Sequence, residues 1–145
     1  MKAKYALRAM CELARVDGQR LSARTLAERS HVPGKFLETI LVELRQAEFI
    51  DSRRGQQGGH ALARPAGQIA IGDVIRAIDG PLAPVRCASV TAYQRCTDCP
   101  NPDDCNLRAL MREARDALSQ VLDQRSLRDF ANSATPSPVP HGETP

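Results

Sequence analysis

Residues 96–105 read CTDCPNPDDC and hold three of the chain's five cysteines, Cys96, Cys99 and Cys105. Cys87 lies just upstream, and only Cys11 is remote. Two prolines and three aspartates fill the gaps, so the segment reads as a loop and not as a packed strand or helix. Thiolates are the usual ligands of iron–sulfur clusters, and a flexible loop lets several converge on one inorganic core. The same residues suit two other chemistries. Cys96 and Cys99 form one Cys-x-x-Cys knuckle which, with Cys105 and Cys87, makes a tetrahedral zinc set; the usual zinc ribbon has two knuckles, and only one is present. Exposed thiols beside Arg86, Arg95 and Arg108 also suit thiol–disulfide switching.

These residues need a scaffold, and composition bounds it. The chain has 145 residues, 42% hydrophobic and 26% charged, with no Trp and 3% aromatics. That is one ordinary domain with extensions, its core aliphatic, which favours helices over a β-sandwich. No apolar run approaches the roughly 20 residues of a membrane span. The opening stretch is broken by Lys4, Arg8, Glu12 and Arg15 and has no signal-peptide core. A cytoplasmic, reducing location is expected, where clustered cysteines bind metal or sense redox state more often than they form structural disulfides. Net charge is +3. Residues 1–64 carry 12 Lys/Arg against 7 Asp/Glu, a net of +5, so the basic excess is N-terminal, compatible with nucleic-acid binding there.

The elements follow from periodicity and punctuation. Leu7, Met10, Cys11 and Ala14 recur at helical spacing over 2–15, with Cys11 on the apolar stripe as a small buried hydrophobe. Ser22 caps a short helix over 23–30, with Leu26 and Ala27 inward. Pro33 suits the first turn of a helix over 34–47, whose stripe is Leu37, Ile40, Leu41 and Leu44 and whose outward residues include Lys35, Thr39 and Arg45. Two helices joined by a tight turn make a helix-turn-helix pattern. A strand from Phe49-Ile50, a turn of Arg53, Arg54, Gly55, Gly58 and Gly59, and a return strand over 60–64 follow as a basic wing. Residues 71–80, IGDVIRAIDG, form a further short helix, with Val74, Ile75 and Ile78 apolar.

The longest helical pattern runs over 106–123, with Leu107, Leu110, Met111, Ala114, Leu118, Val121 and Leu122 at intervals of three and four. Its stripe extends beyond what one small core covers, so a symmetric homodimer is expected, matched to a palindromic double-stranded DNA site. The last fourteen residues, 132–145, are Pro- and Ser-rich and read as a disordered tail.

Three stretches carry a resemblance to a known family. KAKYALRAMCELA, RRGQQGGHALARPAGQIAIGDVIRAIDGPLAPV and CNLRALMREARDALSQVLDQRSLRDF resemble the opening helix, the wing with its following helix, and the dimerisation helix of the IscR/NsrR/RirA type of bacterial winged-helix regulators, the Rrf-two family. The likeness covers about residues 2–130. It implies a mainly α fold with a small β-hairpin: a winged helix-turn-helix over 1–80, a cysteine-rich cluster loop over 81–105, and a dimerisation helix with a short closing segment over 106–131. It also implies a transcription regulator whose DNA affinity answers to a cluster, two-iron or four-iron. Cys99 and Cys105, with five residues between them, fit the family spacing; Cys96 or Cys87 supplies the third ligand. Where some members have a ligating His this chain has Arg108, and where others have an acidic residue it has Lys4. Members carry a few residues before the equivalent of Lys2.

In this frame helix three enters the major groove, with Lys35 and Thr39 as base-edge or phosphate readers. Ser22, Arg24 and His31 reach the backbone, and Arg53 and Arg54 reach the minor groove or phosphates. For each, surface solvation is the bland alternative, and for Ser22 simple capping. No nucleophile–base pair, phosphate-binding loop or catalytic carboxylate pair is present, so an enzyme is not expected.

Overall fold

A computed structural model describes residues 2–133. Six α-helices and one hairpin occur in this range: α1 (Lys2–Arg15), α2 (Ala23–Ser30), α3 (Gly34–Gln46), β1 (Ile50–Arg53), β2 (Gly59–Leu62), α4 (Ile71–Asp79), α5 (Asn106–Asp123) and α6 (Leu127–Asn132). The winged-helix order expected from the sequence is therefore present.

α1 is the centre of the packing and touches α2, α3, α4 and α6. Its buried face is wider than the expected stripe: Ala3, Ala6, Ala9, Met10 and Leu13 are buried along with Cys11, while Leu7 and Ala14 pack at the margin. The alanines explain this, because small side chains let several helices approach one axis closely. Cys11 is a core residue, and burial pushes its thiol up to about 11. It takes no part in the cysteine loop.

α2 begins at Ser22, whose hydroxyl accepts from the Thr25 N–H, and ends at His31 in the left-handed region. α3 buries Leu37, Ile40, Leu41 and Leu44 as expected. Pro33 lies one position earlier than expected, at the N-cap, and its carbonyl accepts from the Phe36 and Leu37 N–H groups.

The wing is an antiparallel pair with Ile50 opposite Leu62 and Arg53 opposite Gly59. Arg53 and Gly59, expected in the turn, are therefore the last rungs of the ladder, because cross-strand pairing reaches closer to the tip than the glycines suggest. Leu21 adds a third, single-bridge strand: it exchanges both backbone hydrogen bonds with His60, at 3.0 and 2.7 Å. This contact makes Gly59 necessary. It has φ +123°, and a Cβ there would run into the Leu21 carbonyl.

The chain then closes on itself. Ala70 bridges Ser126, and the Leu127 N–H donates to the Ile69 carbonyl at 2.8 Å. α6 starts with a capping box between Ser126 and Asp129 and packs on α1 through Leu127 and Ala131. The closing segment thus lies against the N-terminal unit. Asn132, placed in the tail from its sequence, is the last residue of α6, and Ser133 is its C-cap; residues 134–145 lie outside the described residues. No helix among the described residues is long and apolar enough to cross a membrane.

Candidate functional site

The exposed face of the helix-turn-helix presents Lys35 and Thr39 on α3, with Arg24 and Ser22 at the start of α2. Lys35 lies over the Phe36 ring, 5.1 Å from its centroid, and that ring stacks on Tyr5 of α1 at 6.1 Å. The first turn of α3 is therefore braced on α1 through an aromatic pair, which holds the lysine at the helix start. Arg24 makes one loose exposed pair with Glu28 at 3.5 Å, which costs little to release. Arg53 and Arg54 are exposed at the wing. Arg20, unremarked in the sequence, holds the wing's base: it donates to the Asp51 carboxylate at 2.5 Å and to the Asp51 and Gly59 carbonyls at 3.3 and 3.2 Å. The Asp51 carboxyl is consequently held below its usual range, chiefly by that hydrogen bond.

The second region is the cysteine loop, which has only two 3-10 turns, Arg86–Ala88 and Pro102–Asp104. Its thiols are partly or fully exposed. Cys87 and Cys96 are close enough to interact, and the charge of Cys87 is the first cause of a raised Cys96 thiol, with Asp98 and Cys99 adding to it. Cys105 is the N-cap of α5, and its Sγ accepts the Arg108 N–H at 3.4 Å.

Arg108 joins both ends of the loop. Its Nε donates to the Cys87 carbonyl at 2.9 Å and its Nη1 to the Pro102 carbonyl at 3.3 Å, while its guanidinium lies 5.4 Å from the Tyr93 centroid. Arg108 is thus the loop's organiser. Arg115, farther along α5, donates to the Ala88 carbonyl. The donor chemistry of the four thiols fits an iron–sulfur core, and the positive end of α5 at Cys105 favours anionic sulfur. Among the described residues no three His, Cys, Asp or Glu side chains already converge as a metal cage, so ligation by this set requires the loop to close.

The family model for Rrf2, described as an iron-dependent transcriptional regulator, matches residues 1–133. The chain belongs to the Rrf2 family of transcriptional regulators. It is 38% identical over 140 residues to an rrf2-like HTH-type transcriptional regulator of Rhodobacter capsulatus, covering 94% of this chain and 93% of that protein. It is 32% identical over 133 residues to the HTH-type transcriptional regulator IscR of Cronobacter sakazakii, covering 91% and 78%. Its fold resembles the solved structure of CymR, the global cysteine regulator of Bacillus subtilis, with a TM-score of 0.73 at 32% identity over 93% of this chain and 96% of that one. Like the family, the chain is a DNA-binding regulator and not an enzyme.

For this Rrf2 regulator the structure groups Lys35, Thr39, Ser22 and Arg24 on the helix-turn-helix and leaves Arg53 and Arg54 on the wing. It holds Cys87 beside Cys96 and roots Cys105 in α5. The supporting role of Arg20 had no signal in its own neighbourhood, because its partners Asp51 and Gly59 are distant in sequence; Arg108 was visible beside the thiols, but its reach to Cys87, 21 residues away, was not.

The long helix α5 has no buried residue. Leu107, Leu110, Leu118 and Val121 are exposed along one stripe, at 57, 56, 43 and 56%. Arg108, Arg115 and Ser119 turn the other way, toward the loop and α4. An 18-residue helix with its apolar side uncovered lacks a partner within the described residues.

Proposed function

We propose that this chain is a homodimeric, cytoplasmic Rrf2-family regulator whose affinity for a palindromic operator is set by an iron–sulfur cluster on its cysteine loop. The observation that carries this reading is the bridging role of Arg108. It ties Cys87 and Pro102 of the loop to the first turn of α5, and α5 is in turn ion-paired to α4 of the winged helix through Asp123 and Arg76. Closing or opening the loop therefore bears on the long helix and, through it, on the angle between two reading heads.

In this reading residues 1–80 read DNA, 81–105 hold the cluster and 106–131 include the dimer helix. Lys35 and Thr39 meet the major groove, Ser22 and Arg24 the backbone, and Arg53 and Arg54 the minor groove or phosphates. Cys99 and Cys105 are the firmest ligands, and Cys96 and Cys87 complete the set. A bound cluster supplies a redox-sensitive link between loop segments; the protein supplies the thiols, the cationic Arg108 and the lever of α5. The apolar stripe of α5 pairs with its copy.

The test is anaerobic purification with absorbance and iron, sulfide and zinc analysis, on the natural chain and on Cys99→Ser with Cys105→Ser. Brown protein with matched iron and sulfide, lost in the variant, is expected. Colourless protein with one zinc per chain would move the loop to a structural role. A second reading rests on the proximity of Cys87 and Cys96: these thiols can form a disulfide, giving two protons and two electrons to an oxidant. Metal-free protein whose DNA affinity changes with thiol oxidation would select it.

A further inference from the structure

A cleft among the described residues lies between α1, the end of α2 and the segment around α6. Its volume is about 740 Å³, within the range of small-molecule sites. Arg8, Arg15, Arg29 and Arg125 line it, against the single carboxylate of Glu12. Glu12 is shared by Arg15 at 2.5 Å and Arg29 at 3.2 Å, so it cannot neutralise the wall. Arg8 and Arg125 form no ion pair among the described residues. Four guanidiniums around one carboxylate leave a strongly cationic recess, and planar guanidinium forks match phosphate and carboxylate oxygens in pairs. Phe130, 45% exposed, adds an apolar wall.

The geometry points to a binding site for a small organic anion carrying a phosphate or carboxylate group beside an apolar portion, acting as an effector of DNA binding. Arg8 and Arg125 hold the anionic head, and Phe130 meets the apolar part. The coupling route is short. Arg29 and Ser30 end α2, and His31 starts the turn to α3. An anion that draws Arg29 from Glu12 acts on the turn that sets the reading helix. The effector role rests on the DNA-reading proposal; binding itself does not.

Calorimetric titration of the full chain with inorganic phosphate and with phenyl phosphate tests the site. The natural chain is expected to bind both, phenyl phosphate more tightly. Arg8→Gln with Arg125→Gln should weaken both by about tenfold or more, at charge-assisted hydrogen-bond strength. Phe130→Ala should remove only the preference for phenyl phosphate. Arg53→Gln with Arg54→Gln should leave anion affinity unchanged while lowering DNA affinity, which separates the two readings. Phenyl phosphate should change DNA affinity in the natural chain and not in the Arg8/Arg125 variant. Absence of binding, or unchanged affinity in that variant, overturns the site; unchanged DNA affinity overturns the effector role. If neither anion binds yet the Arg8/Arg125 variant loses DNA affinity, the recess serves DNA phosphates and the proposal fails.

Discussion

Arg76 on α4 forks onto the carboxylate of Asp123 at the end of α5, at 2.7 and 2.8 Å. The same guanidinium reaches Asp73 and Ser119. Asp123 is held below the usual carboxylate range chiefly by this hydrogen bond. Gly72 permits the approach: a Cβ there would fall inside contact distance of the Asp123 carboxylate. This pair is the clasp between the winged helix and the long helix.

Arg76→Gln, or Gly72→Ala, should therefore loosen α5. The side chains are 26 and 39% exposed, so screening limits the effect to about 1 kcal/mol. A fall in melting temperature of about 2–4 °C is expected, with faster amide exchange in α5 than in α1. Unchanged exchange in α5 would show that the clasp does not hold it.

Leu118→Glu should disrupt self-association. In a two-fold pairing each substitution appears twice, so a weakening of about 100-fold is expected from two modest penalties. Sedimentation of the variant as a monomer at concentrations where the natural chain is dimeric is the readout. A natural chain that is itself monomeric at every concentration sinks the dimer reading.

In the proposed function the wing arginines contribute charge before sequence information. Arg53→Gln and Arg54→Gln should each lower the slope of log affinity against log salt by about 1. Affinity should fall for matched and unmatched DNA alike if they touch phosphates. A selective loss at one base step would instead mark minor-groove reading.

His60 links wing stability to pH. Its ring is 2.7 Å from the Ser52 hydroxyl, and burial, helped by Arg45 and Arg20, lowers its pKa from the usual 6.5. The folded state therefore takes up a proton less readily than the unfolded chain. Above 6.5 both are neutral and no difference arises; as pH falls below 6.5 the unfolded state binds the proton first, so stability declines down to the folded pKa. The slope from this one group cannot exceed about 1.4 kcal/mol per pH unit. Melting curves from pH 7.5 to 5.5 should fall more for the natural chain than for His60→Gln; parallel curves would exclude His60 as the source.

Features legible in the sequence were those with short-range causes. Ser22 announced α2, and its hydroxyl does accept from Thr25 three residues on. The spacing of Leu37, Ile40, Leu41 and Leu44 announced the buried face of α3. Prolines and aspartates announced the cysteine loop, and the over-long stripe announced a helix with an uncovered side. Tertiary structure alone decided which distant residues meet. Leu21 pairs with His60 and Ala70 with Ser126; Arg108 reaches Cys87 and Arg76 reaches Asp123. Four arginines from three segments, α1, α2 and the turn before α6, likewise share one recess. Caps and helical stripes act over three or four residues and are written in local order, whereas these pairs exist only after the chain has closed loops of tens of residues around the α1 core, so no local pattern encodes them.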